Sequence, residues 1–149
     1  VLDLFLAILH HLLILSLAGL MMAGFVLVRP GVSGAALKTL GGIDASYGAT
    51  AVLILGVGFC RVFLGGKGSA FYLENPVFWA KLATFGVVGL LSIAPTIAIL
   101  KWRKQSQADP AFAPSDVDVA KVRKVMLAEL VVFALIPIFA AAMARGYGL

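Results

Sequence analysis

Four long apolar runs separated by short polar stretches dominate the chain. Residues 4–28 hold no Lys, Arg, Asp or Glu. Residues 45–64 are interrupted only by Arg61, 77–100 only by Lys81, and 125–144 only by Glu129. Apolar runs of about eighteen residues or more predict transmembrane helices, because hydrocarbon satisfies no open backbone. The pattern predicts an all-α fold: an integral membrane bundle of four transmembrane helices, forming a single membrane domain over 1–149. The first run lacks a basic n-region and is too long for an h-region, so it is not expected to be a removable signal peptide. Val1 as first residue suggests a non-AUG start codon or a trimmed N-terminus.

The polar stretches carry their own signals. Arg29, Pro30 and Gly31 are expected to stop the first helix. Residues 33–40 are helix-compatible and are expected to lie along the membrane surface, with Gly41 and Gly42 breaking that helix before Asp44. The stretch 65–76, GGKGSAFYLENP, reads as an ordered turn, with Phe71 or Tyr72 folded back as a lid. Residues 105–114 form a short linker with two prolines. Ser115, Asp116, Val117 and Asp118 suit a capping box, which starts the fourth helix about two turns before the bilayer. Pro95 and Pro137 fall inside helices and predict kinks. Ala18, Gly19, Ala23, Gly24, Gly48, Ala49, Gly56, Gly58, Gly86 and Gly89 are expected at helix contacts. Tyr72, Phe78, Trp79 and Trp102 fall where interfacial aromatic belts lie.

Composition sharpens this reading. The 149 residues are 62% hydrophobic and 13% charged, against ~45–50% and ~25% in soluble domains. That balance argues against disorder, a nucleic-acid-binding domain and an ordinary cytosolic enzyme. One cysteine, Cys60, makes no disulfide framework. The net charge of +5 reflects topology. Arg29, Lys38, Lys101, Arg103, Lys104, Lys121, Arg123 and Lys124 lie in the first and third connections, against Lys67 and Arg145 on the other side. The positive-inside rule places the first group in the cytoplasm. Both termini are then expected in the periplasm of a bacterial inner membrane.

Ionisable groups inside the spans are costly and point to function. Depth arithmetic puts His10, His11, Arg61 and Lys81 in one outer layer drawn from three helices. Glu129 falls at the other end with Asp44 and Tyr47. Imidazole at membrane depth suits haem iron, and Arg and Lys nearer the surface suit its propionates. The two histidines are about 100° apart on the helix, so one would ligate. The other would contact a propionate, a quinone or a neighbouring helix. The iron would be five-coordinate or would take Lys81, Met143 or a partner chain. The plainer alternative has Arg61 and Lys81 snorkelling to headgroups while the histidines bond between helices. Copper held by Cys60, a histidine and Met143 is a weaker reading. Glu129 suits either an interfacial ion pair or a proton relay.

GKGSAFYLENPVFWAKLATFGVVGLLSIAPT, over 66–96, resembles the signature of a family of small four-span bacterial membrane proteins catalogued as a domain of unknown function. The segments ILHHLLILSLAGLMMAGFVLVRPG and ALIPIFAAAMARGYG fit it too. That resemblance implies four spans and no established activity. A more remote one is to HemJ-type protoporphyrinogen oxidases and CopD copper-resistance proteins. It rests on Leu9 with His10, Ala18 with Gly19, and Trp79 to Leu82. It implies a haem-associated role for His10 and a functional role for Lys81. Spacings after the histidine and between Trp79 and Lys81 are shorter here, so only the idea of a porphyrin-sized site carries over. Two functions are expected as alternatives. One is a haem b-binding redox protein with metal ligand His10 and cofactor contacts from His10, His11, Arg61 and Lys81. The other is a non-catalytic accessory subunit of a larger respiratory, photosynthetic or transport complex. Expected partners are the lipid bilayer and a larger membrane complex or a homo-oligomer, with no nucleic acid.

Overall fold

A helix closes its backbone hydrogen bonds within itself, and the apolar runs take that form throughout. The computed structural model describes residues 1–148. Its helices are α1 (Leu2–Leu27), α2 (Gly34–Leu64), α3 (Ser69–Leu73), α4 (Pro76–Ala108), α5 (Asp116–Phe133) and α6 (Leu135–Ala144). Four are spans by length and apolarity, α5 and α6 together forming the last. The protein is an all-α membrane bundle. Its surface inverts the usual soluble pattern: Leu4, Phe5, Leu15, Val52, Leu90, Ile97 and Val131 are exposed, as suits helices that face lipid.

The helices form a ring in the order α1, α2, α4, α5. Three apolar clusters stack along its axis. At the end of the α1–α2 turn, Leu37, Leu40, Ile99, Trp102 and Val119 pack together. Leu17, Ile54, Val88 and Phe133 fill the middle. Val62, Tyr72 and Phe78 close the other end. Gly31, at φ 78°, makes the turn that brings α2 back along α1.

Helix ends follow their local chemistry. Ser115 caps α5: its Oγ accepts from the Asp118 amide at 3.2 Å and donates to the Asp118 carboxylate at 2.8 Å. That matches the expected cap. Asn75 caps α4, its Oδ1 accepting from the Val77 amide at 2.8 Å, with Pro76 in the first turn. Pro137 cannot donate to the Phe133 carbonyl, and the last span is interrupted at Ala134, one turn earlier. Pro95 sits in α4 without interrupting it.

Three expectations are corrected. Gly41 and Gly42 do not break a surface helix, because α2 runs unbroken through them. Gly41 is instead a contact: a Cβ there would stand 2.8 Å from the Arg103 Cδ. Tyr72, Phe78 and Trp102 are buried in the bundle, and of the expected belt only Trp79 is exposed. Gly24 and Gly58 meet neighbouring helices closely, but Gly19, Gly48, Gly56, Gly86 and Gly89 have nothing near them.

Arg123 joins α5 to the end of α1. Its guanidinium donates to the carbonyls of Phe25, at 2.8 Å, and Val28, and lies 4.2 Å from the Phe25 ring centre. Those carbonyls have no helical donor beyond Val28, so a cation serves them well. Arg123→Ala is expected to cost about 2–3 kcal/mol, the scale of a charged hydrogen bond with its stacking contact. Thermal unfolding in detergent checks this. A loss no larger than that of Lys124→Ala, an exposed neighbour, would refute it.

Candidate functional site

A cavity of about 440 Å³ opens at the end of the bundle opposite the α1–α2 turn. Small-molecule sites run about 300–1,000 Å³. Its wall takes His10 and His11 from α1, Arg61 from α2 and Lys81 from α4. The structure therefore brings all four expected residues together, and it adds Lys67 and Tyr72 from the loop region. Arg61 and Lys81 face the cavity rather than snorkelling away from it. No Asp or Glu lines it among the described residues. Asp3 and Glu74, the nearest acids by sequence at this end, stay outside its wall.

Each of these side chains is positioned by local packing. His10 lies against Gly58, where a Cβ would come within 3.3 Å of its ring. Glycine at that position lets α1 and α2 close on the imidazole. The His10 Nδ1 is sealed in with no hydrogen-bond partner, as is the Arg61 Nε. The Lys81 Nζ stands 5.7 Å from the Phe78 ring centre, and the Lys67 Nζ stands 4.5 Å from that of Phe71. Such ring faces attract cations without neutralising them. Phe71, Tyr72 and Phe78 pack edge to face, with centroids 5.1 and 5.9 Å apart. The loop is thus folded back as expected: α3 carries a buried Tyr72 down onto Val62 and Phe78.

The two histidines differ in a way sequence did not show. Their rings lie 6.5 Å apart and nearly perpendicular. The His11 Nδ1 is 2.6 Å from the Ala7 carbonyl oxygen. A carbonyl only accepts, so Nδ1 carries the proton and a neutral His11 presents Nε2 as a lone pair. Metal-ligating histidines are oriented in this way, whereas His10 has no such partner.

Cys60 is exposed and is not part of the cavity wall, whereas both histidines and Met143 are. Among the described residues no group of three or more His, Cys, Asp or Glu side chains could hold a metal ion.

A second polar layer lies deeper, around a cavity of about 30 Å³. That is room for a water or two. Tyr47 donates to a Glu129 carboxylate oxygen at 2.6 Å, and Thr96 donates to Asp44 at 2.8 Å. Glu129 is 5% exposed. The expected grouping of Asp44, Tyr47 and Glu129 is present, but Glu129 takes a tyrosine rather than Lys or Arg. Asn75 is a polar group that sequence reading missed. It is fully buried and donates to the Tyr147 carbonyl at 3.3 Å, fastening the chain's end to the start of α4. An Asn before a Pro was the available signal.

Fold and site define an integral membrane protein of four spans with a basic intramembrane cavity. Residues 2–148 match the family described as "Predicted membrane protein (DUF2214)", and the chain belongs to that family. No curated protein and no solved structure matches the chain.

Tyr47→Phe strands a buried carboxyl group and is expected to cost about 1–3 kcal/mol. Adding Glu129→Leu to it should return most of that loss. Unfolding midpoints of the single and double variants decide the matter. Additive losses would show that the pair contributes nothing as a pair.

Proposed function

We propose that the cavity holds an anionic redox cofactor and that haem b is the cofactor. The observation that carries this is the convergence of His10, His11, Arg61, Lys67 and Lys81 on one cavity that no Asp or Glu lines among the described residues. The residues fit the group in charge and in volume. Arg61 and Lys81 suit propionates as charge-assisted donors. Imidazole supplies the iron ligand, and of the two, His11 has the oriented ring, its Nδ1 held by Ala7. His10, favoured by the HemJ-type resemblance, then becomes a contact from the α2 side. When bound, haem supplies one-electron chemistry. The chain's own residues bind and orient it, and α3 with Tyr72 screens it from water.

The sidedness belongs to the same proposal. Eight basic residues at the opposite end support a cytoplasmic location for that end in a bacterial inner membrane. The cavity and both termini then face the periplasm. The second reading is an accessory subunit of a larger membrane complex. It is favoured by the small extent of structure outside the spans, since α3 is the one helix among the described residues that is not part of a span.

Haemin added to detergent-purified protein should give a saturable Soret band. His11→Ala should abolish it, and Arg61→Gln with Lys81→Gln should weaken binding at least tenfold. No saturable band with the wild-type chain ends the haem reading, and co-purification of a colourless chain with a larger complex would favour the accessory subunit. Reporter fusions at Gln107 and at the C-terminus are expected on opposite sides of the membrane. Both on one side would refute the topology.

A further inference from the structure

The ring of helices is not closed along its whole length. At the end of the α1–α2 turn, α1 packs against α5. Beyond the interruption at Ala134, α6 packs against α4 and makes no close backbone contact with α1 or α2. The cavity lies in the resulting opening. Its flanks are His11 on α1 and Pro137, Ala141 and Ala144 on α6, all exposed and all part of the cavity wall. Small alanines on α6 leave the gap wide. The end of the cavity nearest the α2–α4 connection is covered instead, by α3 and its buried Tyr72.

We infer that the cavity is entered sideways from the bilayer, between α1 and α6, and takes an anionic amphiphile dissolved in the membrane. This rests on the reading of the cavity as a ligand site and adds the route and the build of the ligand. Both flanking helices belong to candidate spans, so an opening between them faces the hydrocarbon side of the bundle. A water-soluble anion would have to cross that hydrocarbon or displace α3. An amphiphile already in the leaflet needs neither step. Its phosphate or carboxylate head would lie between Arg61 and Lys81, and its apolar body would leave past the α6 alanines. Charge complementarity selects the head, because five basic or imidazole side chains line the cavity and, among the described residues, no acid does.

The probe is phosphatidylglycerol, with phosphatidylcholine as the zwitterionic reference. Protein is reconstituted in nanodiscs of each lipid, released, and weighed by native mass spectrometry. The wild-type chain is expected to retain one phosphatidylglycerol, at least tenfold over phosphatidylcholine. Arg61→Gln with Lys81→Gln should lose that preference. Ala141→Trp, which fills the gap, should lose retention of both lipids. Lys101→Gln with Lys104→Gln, at the opposite end, should leave it unchanged and so separates the cavity from lipid bound at the bundle's other surface. A helical circular dichroism spectrum qualifies each variant as folded. Equal retention of the two lipids, or retention unmoved by either cavity variant, overturns the inference. Inorganic phosphate displacing the lipid at millimolar concentration would also overturn it, by showing an aqueous route. Haemin titrated into the same preparations keeps the two proposals apart. Haemin binding equally to wild type and Ala141→Trp, with no lipid retained, removes the lateral route and leaves the haem reading. Lipid retained selectively with no haemin bound does the reverse.

Discussion

Hydrocarbon offers no hydrogen bond and little solvation for charge, and the arrangement of this bundle follows from that. Each ionisable group in the spans has been turned inward or held at an end. The inward groups fall into two layers of opposite character. One holds His10, Arg61 and Lys81. The other holds Asp44, Tyr47 and Glu129, joined by hydrogen bonds from hydroxyl groups. The two layers are not paired with each other. The carboxylates are served by Tyr47 and Thr96, so they are unavailable to neutralise the cations. Between the layers the bundle is apolar, packed by Leu17, Ile54, Val88 and Phe133.

The same constraint explains the difference between the two ends. Inside lipid, helices gain little by hiding apolar surface, so close packing and polar contacts must hold them together. The α1–α2 end has both kinds of contact: Arg123 on the α1 carbonyls, Arg103 against Gly41, and Trp102 in the apolar cluster. At the cavity end α6 has neither towards α1. Pro137 removes a backbone donor one turn after Ala134, where α5 gives way to α6. Beyond that point the last span packs on α4 and makes no close backbone contact with α1.

The spans, the Ser115 cap, the folded-back loop and the meeting of His10, His11, Arg61 and Lys81 were all legible in the sequence. These are consequences of depth and period, which a linear pattern records. What escaped depends on which helix faces which. Gly41 and Gly42 look like a break, yet a membrane helix tolerates glycine when a neighbour fills the space, as Arg103 does at Gly41. Trp102 and Tyr72 sit at belt depth, but rotation about the helix axis turns them inward. Arg123 looked like one more cytoplasmic charge, and its role on the α1 carbonyls needs the partner helix to be placed first. Which histidine is oriented turned on a single contact to Ala7, four residues back, that either ring could have claimed by spacing alone.

The basic layer carries a cost that no acid on the cavity wall offsets among the described residues. A charged side chain at mid-bilayer costs about 2.5–3.5 kcal/mol even on the lenient insertion scale. Arg61 and Lys81 are near one end, which reduces that cost, but both face inward. Phe78 offers Lys81 a ring face and no charge. If packing alone were the purpose, neutral side chains of similar volume would fill these positions at no electrostatic cost. Cations converging on a cavity become favourable once an anion enters between them. Among the described residues no carboxylate lines the cavity to play that part.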